Sequence, residues 1–369
     1  MFSEEHLFSI ALRKCALIGD INFKKVVEAE GSAENVWKLP KSTLQKIFGI
    51  GDKISREIGN PEYLAFAEKE LMFCEKNNIT IRLRHKNELP NLLQDCYDAP
   101  SILYQKGTFN ENKTPISIVG TRKYTSYGRT FINDFLEEIK TAEIQTISGL
   151  ALGTDAEVHQ KSLEKNIPTV GVLAHGFHTF YPAKNKPLSE KILENGGTLF
   201  TEFTTADKPD REHFIQRNRI VAGLSPATIV VETPFGGGSI STVSFANGYN
   251  RDVFALPGKI TDVCSQGCNL LIYQNKAATI SSIKDLIKEL GINEPNAKVG
   301  ELFPKSEIKP KLTEEQHNIY NTIKEHPQIS LDDISEKCNL PAYKILPILL
   351  EMEISGYIQS FSGRQFQVM

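Results

Sequence analysis

Six short β-rich runs, Ile116 to Val119, Ile144 to Ile147, Pro168 to Leu173, Thr198 to Thr201, Thr228 to Val231 and Val253 to Leu256, recur through the middle of the chain, each followed by a segment of helical character. This beat constrains the fold more than any other feature. Strands that pair in parallel need a long crossover, usually a helix, between them. The runs are continuously apolar more than alternating, as expected of strands covered on both faces. The expected class is α/β, with a doubly wound, mostly parallel sheet across residues 81–291.

The flanks read differently. Residues 1–80 look helical, punctuated by glycine at Ile18-Gly19-Asp20 and at Phe48-Gly49-Ile50-Gly51-Asp52. Gly291 to Lys311 carries Pro295, Pro304 and Pro310 among polar residues, so a linker is expected over 292–311. In 312–369, Thr313 begins a Thr-x-x-Gln capping box, Ser330 precedes a second apolar-periodic segment, and Pro341 opens a third helix running toward Gly356. Tyr357 to Val368, with Ser362-Gly363 in its middle, reads as a hairpin. Three helices and a hairpin in so short a stretch resemble a winged helix.

Charge narrows the partners. Lys and Arg total 42 against 45 Asp and Glu, a net of -3, so any site for a polyanion is a local patch. Lys38 to Glu57 carries five bases and two acids, and Lys46 to Ser55 resembles the hairpin of a helix-hairpin-helix. Its glycines fit either a phosphate contact or a plain helix boundary in a small bundle. From Thr313 to Met369 there are eight acids and four bases, and the candidate recognition helix sets Lys344 against Glu351 and Glu353. A protein-binding or architectural role is therefore expected of the winged helix ahead of duplex reading. No run of 18 apolar residues occurs, and acids stand in the opening MFSEEHLFSI, so a cytoplasmic protein without membrane contact is expected. The six cysteines are scattered and expected to be reduced; Cys264 and Cys268 lie close but lack two further ligands nearby, so no metal is expected.

In open parallel sheets, ligands bind beyond the carboxyl ends of the strands. Three glycine-bearing loops fall there: Gly120-Thr121-Arg122-Lys123, Gly149-Leu150-Ala151-Leu152-Gly153-Thr154-Asp155, and Gly236-Gly237-Gly238-Ser239 opening a helix. Glycine lets a backbone approach a ligand closely, and helix amides beside an Arg favour phosphate. Gly-x-x-x-x-Gly-Lys-Ser/Thr is absent, which argues against a P-loop NTPase. The first loop also lacks Gly-x-Gly-x-x-Gly, and Glu143 precedes the second run where a ribose-binding acid would end it, so NAD is not expected.

Together the motifs resemble the DNA-processing protein A (DprA, or Smf) family of bacterial transformation proteins. They are Ile118-Val119-Gly120-Thr121-Arg122, Tyr127-Gly128, Ser148-Gly149-Leu150-Ala151 with Gly153 and Asp155, His159, Tyr181-Pro182, Gly196-Gly197, Gln216-Arg217-Asn218-Arg219-Ile220, Pro257-Gly258 and Gly267-Cys268-Asn269. The resemblance implies an extended Rossmann-like core, single-stranded DNA binding, homodimers, RecA loading and no catalysis or cofactor. It implies a nucleic-acid site at Gly120, Thr121, Arg122, Lys123, Gly149, Ala151, Gly153, Asp155, Arg217, Asn218, Arg219, Gly237, Gly238 and Ser239; among the aromatics of the loop after the third run, Phe177 is the one expected to stack on a base.

Residue chemistry qualifies that site. Arg122 suits bidentate phosphate binding or a carboxylate pair. Arg217 and Arg219 stand two apart on a predicted helix and cannot share a face, so one is expected at the pocket and the other bracing the fold through Asp155 or Glu202. Asp155 and His159, four apart, fit an amide-capping Asp and a packed His better than a catalytic or metal pair. Phe177, Phe180 and Tyr181 fit stacking or burial. Leu152 stands where the family usually carries a base. An alternative class is a nucleotide phosphoribohydrolase-like enzyme, suggested by Glu232 ahead of Gly236-Gly237-Gly238, although Ser239 to Tyr249 offers no carboxylate.

Overall fold

The computed structural model describes residues 2–47, 49–292, 312–326, 329–354, 357–361 and 365–368. The chain divides into two compact units, Met1–Pro295 and Asn296–Met369. The expected linker at 292–311, Phe48 and Ser362-Gly363 lie outside the described residues, save Ile292.

In the first unit, helices α1 (Glu4–Lys14), α2 (Asp20–Glu30), α3 (Ala33–Lys38), α4 (Lys41–Leu44), α5 (Asp52–Glu57) and α6 (Pro61–Lys76) precede any strand. Local chemistry sets their ends: Asn60 accepts the Glu62 amide at 3.0 Å and Pro61 takes the first helical position of α6. The sheet follows with β1 (Thr80–Leu83), α7 (Asn91–Gln94), β2 (Ile102–Gly107), β3 (Thr114–Val119), α8 (Ser126–Glu138), β4 (Ile144–Ser148), α9 (Thr154–Glu164), β5 (Thr169–Val172), α10 (Lys186–Glu194) and β6 (Thr198–Thr201). It ends with α11 (Arg211–Gly223), β7 (Ala227–Val230), α12 (Ser239–Gly248), β8 (Asp252–Ala255), α13 (Gln266–Tyr273), β9 (Ala278–Thr279) and α14 (Ile283–Glu289).

The six apolar runs are β3 to β8, all parallel to their neighbours within that set. Strand order is β1-β2-β6-β5-β4-β3-β7-β8-β9, with β1 and β2 paired antiparallel at one edge. Both faces are covered: along β7, Ile229 joins the core on one side and Val230 the core on the other. The helical segment at 1–80 does not close its own core. Trp37, Leu44 and Ala67 share one apolar cluster with Ile81, Leu83 and Ile102 of the sheet edge.

The second unit contains α15 (Glu314–Glu325), β10 (Ile329–Ser330), α16 (Leu331–Cys338), α17 (Ala342–Ile354), β11 (Ile358–Phe361) and β12 (Gln365–Val368), a three-stranded sheet ordered β10-β12-β11 beside three helices. The capping box is made: Gln316 N donates to Thr313 Oγ1 at 3.3 Å and Thr313 N donates to Gln316 Oε1 at 2.9 Å. Ile319, Ile334, Ile345 and Phe366 form its own core, and the arrangement is a winged helix. No helix among the described residues is long and apolar enough to cross a membrane.

Candidate nucleic-acid interface

The winding of the sheet reverses at β3: the chain runs outward through β4, β5 and β6 on one side and through β7, β8 and β9 on the other. A switch point of this kind leaves a crevice between diverging loops. Here the loops after β3, β4 and β7, with α11 as a wall, bound a cleft of ≈ 700 Å³.

Its floor is Arg217. The side chain is almost fully buried and its Nη1 donates to the carbonyl oxygens of Gly149 and Val172, while Nε donates to Asn218 Oδ1 at 3.1 Å. Gly149 is glycine because any Cβ there would collide with the guanidinium. Asp155 supplies the opposing charge and accepts the Ala151 amide at 3.2 Å. Burial outweighs their mutual attraction in both: it lowers Arg217 to about 10 and raises Asp155 above the usual carboxylate range. An anion arriving in the cleft would favour the charged guanidinium and offset that cost.

The rim is basic and aromatic. Arg122 is exposed, with its Cζ 5.6 Å from the centre of the Phe214 ring. Arg217 approaches the same ring at 5.9 Å, and Tyr181 meets it edge-on at 5.8 Å. A neighbouring hollow of ≈ 760 Å³, lined also by Lys208 and Tyr181, adjoins the cleft and shares Arg122, Arg211 and Phe214 with it. Asp210 is the acid of that hollow, and its carboxylate caps α11 by accepting the Glu212 amide at 2.8 Å.

The glycine-rich loop closes the other side. Ile240 and Ser241 amides bond back to the Gly237 and Gly238 carbonyls at 3.1 and 3.3 Å, and Asn218 Nδ2 ties the loop to α11 through Gly238 O and Ser241 Oγ at 3.3 and 2.9 Å. Ser239 lines the cleft only 6% exposed, and its Oγ has no partner among the described residues. A buried hydroxyl of this kind suits a ligand oxygen.

Among the described residues, Asp155 is the one carboxylate lining the cleft. Glu232 points elsewhere: its carboxylate accepts Thr125 N at 2.8 Å and Thr125 Oγ1 at 2.6 Å and so anchors the start of α8. His159 is fully buried against Thr169 Oγ1 at 2.7 Å, with burial holding its pKa down to about 3. No cluster of three potential metal ligands occurs among the described residues. The chemistry on offer is anion binding beside a face for stacking planar rings.

The family model for DNA recombination-mediator protein A matches residues 80–291, more than half of the chain. The chain belongs to the DprA family. The winged-helix domain model of DprA matches residues 303–364. DNA processing protein DprA of Streptococcus pneumoniae is 36% identical over 275 residues, covering 69% of this chain and 96% of that protein. Protein Smf of Synechocystis is 28% identical over 404 residues, covering 100% of both. The crystal structure of S. pneumoniae DprA superposes with a TM-score of 0.67 at 28% identity, over 78% of this chain and 98% of that one. Helicobacter pylori DprA, described for its single-stranded DNA binding mode, gives a TM-score of 0.52 at 25% identity, over 57% of this chain and 95% of that one.

Against this DprA-family frame, the cleft gathers Gly120, Thr121, Arg122, Gly149, Ala151, Asp155, Arg217, Asn218, Gly237, Gly238 and Ser239. Four expected residues are not on its wall. Arg219 faces the other way, pairing with Glu202 at 2.5 Å and Asp20 at 3.1 Å, because two positions on a helix turn the side chain to the opposite side. These carboxylates overcome burial and raise its pKa. Phe177 is partly buried, packed against both the N-terminal cluster and the cluster around Leu173, and does not line the cleft. Gly153 lies beneath the Arg122 backbone, and Lys123 is exposed beyond the cleft. The Thr121 amide is also unavailable to phosphate, since it donates to Glu232 O at 2.6 Å. Phe214 and Arg211 were missed. Their signal was position: Phe214 precedes Arg217 by three residues and so shares its helical face.

Proposed function

We propose that this DprA-family chain binds single-stranded DNA as a non-catalytic recombination mediator in natural transformation, acting in the cytoplasm and delivering the strand to RecA. One observation carries the reading: the exposed Arg122 and the buried Arg217 both approach the Phe214 ring, at 5.6 and 5.9 Å. Phosphate meets the guanidinium and an unpaired base meets the ring, a combination that duplex DNA, with its bases stacked inside, does not use. Helicobacter pylori DprA, described for its single-stranded DNA binding mode, supports the same ligand. Enzymatic turnover is not part of the proposal, since the carboxylate that suggested it, Glu232, is occupied in holding Thr125.

The site residues proposed are those of the cleft wall plus Arg211 and Phe214. Homodimerisation is proposed through the surface at Ile260, Val263 and Tyr273, three exposed apolar side chains around the start and end of α13. Sedimentation of the full chain measures it, and a strictly monomeric species at micromolar concentration would refute it.

Gel shifts with single-stranded and duplex DNA at two salt concentrations test the main reading: the single strand should bind more tightly, and equal affinity for duplex would overturn it. Arg122→Ala should reduce the log-log salt slope by about 0.7, the loss of one single-strand phosphate contact, with thermal stability unchanged. Phe214→Ala should cost about 1–3 kcal/mol of binding while leaving that slope intact, because stacking releases no counterions. A lowered slope in Phe214→Ala would mean that the ring acts only by positioning Arg122.

A further inference from the structure

The winged helix closes its own core, yet one of its helices keeps a second apolar face outside it. Along α17, Ile345, Leu349 and Met352 belong to that core and are at most 1% exposed. On the side turned away, Tyr343 is 73% exposed, Leu346 49% and Leu350 57%, and Pro347 is exposed among them. Positions i, i+3, i+4 and i+7 share one face of a helix, so the four side chains form a continuous stripe. Exposed apolar residues scattered singly are ordinary, whereas a contiguous patch marks an interaction surface. Pro347 strengthens the case, since a proline inside a helix costs about 3 kcal/mol and this one adds its exposed ring to the stripe. In a winged helix this is the element that would read DNA, but beside three large apolar side chains its exposed side offers a single base, Lys344.

Charge on the flank of the stripe selects the occupant. Lys344 follows Tyr343 by one position and Glu351 follows Leu350 by one, so both stand about 100° round from the stripe on the same side, near opposite ends of the helix. Gln316 Nε2 donates to Glu351 Oε2 at 3.2 Å, a neutral contact that leaves the carboxylate charged. Glu353 lies toward the other flank and is engaged, accepting Ser360 N at 3.0 Å and Ser360 Oγ at 2.5 Å. The exposed flank is therefore balanced, one base and one acid, and its charges are ordered so that an antiparallel copy of the same helix answers both. We propose that α17 packs antiparallel against α17 of a second copy of this chain, about a two-fold axis near Leu346 and Pro347. Tyr343 then meets Leu350 of the second copy, Leu346 meets Pro347, and Lys344 meets Glu351, each contact made twice as two-fold symmetry requires. Glu351 of each copy also comes to the N-terminal end of the other helix, where a carboxylate is favoured. This contact is separate from the surface at Ile260, Val263 and Tyr273. Acids outnumber bases across this unit, so the copies repel at low ionic strength, and the contact belongs to physiological salt, where the Debye length is about 8 Å.

Cross-linking of the full chain at that salt tests the arrangement. Carbodiimide joins a lysine amine directly to a carboxylate, and in a mixture of isotopically heavy and light chains a Lys344–Glu351 link that combines one of each can come only from two copies. Such mixed links are expected, and Leu346→Glu, at an exposed position, should reduce their yield about tenfold or more without lowering the melting temperature. Lys344→Glu and Glu351→Lys should each weaken self-association in sedimentation, and an equal mixture of the two variants should regain it, because each like-charge pair becomes an opposite pair between unlike chains. Absence of mixed links, an undiminished yield in Leu346→Glu, or a mixture that associates no better than either variant alone would each overturn the proposal. A fall in duplex DNA affinity in Leu346→Glu with the mixed links unchanged would also overturn it and assign the stripe to DNA.

Discussion

Arg217→Ala should destabilise the protein by about 3–5 kcal/mol, because it leaves the buried Asp155 carboxylate without its counter-charge and the Gly149 and Val172 carbonyls without their donor. Urea unfolding checks this, and an unshifted midpoint would mean that the guanidinium is not the charge that compensates Asp155. The loss has a predictable pH dependence. A carboxyl whose folded pKa lies above its unfolded value destabilises the fold once pH rises through the carboxylate range, and the penalty disappears as pH falls below the unfolded pKa. Burial already raises Asp155, and losing Arg217 raises it further. Arg217→Ala should therefore lie closest to the parent in mild acid and furthest at neutral pH, and Asp155→Asn in the same chain should recover part of the neutral-pH loss.

Gly153→Ala is the second large effect. Gly153 has φ 84°, a region that costs L-residues strain, and a Cβ there would be driven into the Arg122 backbone. The two terms together should cost about 2–5 kcal/mol. The Arg122 loop can yield only by moving, so single-stranded DNA affinity should fall in the same variant. Gly238→Ala is the matched control: nothing lies within 4 Å of its Cβ position, and the change should be within about 0.5 kcal/mol of neutral. Comparable melting temperatures for the two variants would refute the claim that the β4–α9 turn sets the position of Arg122.

What the sequence disclosed follows from how each residue is used. β3 to β8 were legible because strands covered on both faces are apolar throughout. β1 and β2 were not, since Thr80–Leu83 carries Arg82 and β2, buried on both faces, includes Tyr104 and Gln105, so neither reads as an apolar run. The spacing of Arg217 and Arg219 disclosed that they must part company. Which one faced the cleft depended on Glu202 and Asp20, two acids far away in sequence. Phe177 sat in the loop after a strand, where ligand contacts concentrate, yet the N-terminal helices pack over it. Phe214 was legible only through its helical spacing, three residues ahead of Arg217 on α11, while its meeting with Arg122 joins segments far apart in sequence.

The ion pair from Arg219 to Asp20 fixes how truncations of this chain are to be understood. Asp20 belongs to α2, so the helix presenting Phe214, Arg217 and Asn218 to the cleft is held on its far side by the N-terminal helices. Asp20 also accepts the Ser101 amide at 2.9 Å, which ties the same corner to β2. A chain beginning near residue 80 would strip Arg219 of one carboxylate and expose the apolar side chains of Ile81, Leu83 and Ile102 to water. Weaker DNA binding by such a fragment would then measure a displaced α11, and contact between DNA and the basic segment around Lys46 and Lys53 has to be sought in the intact chain, by single substitutions at either lysine.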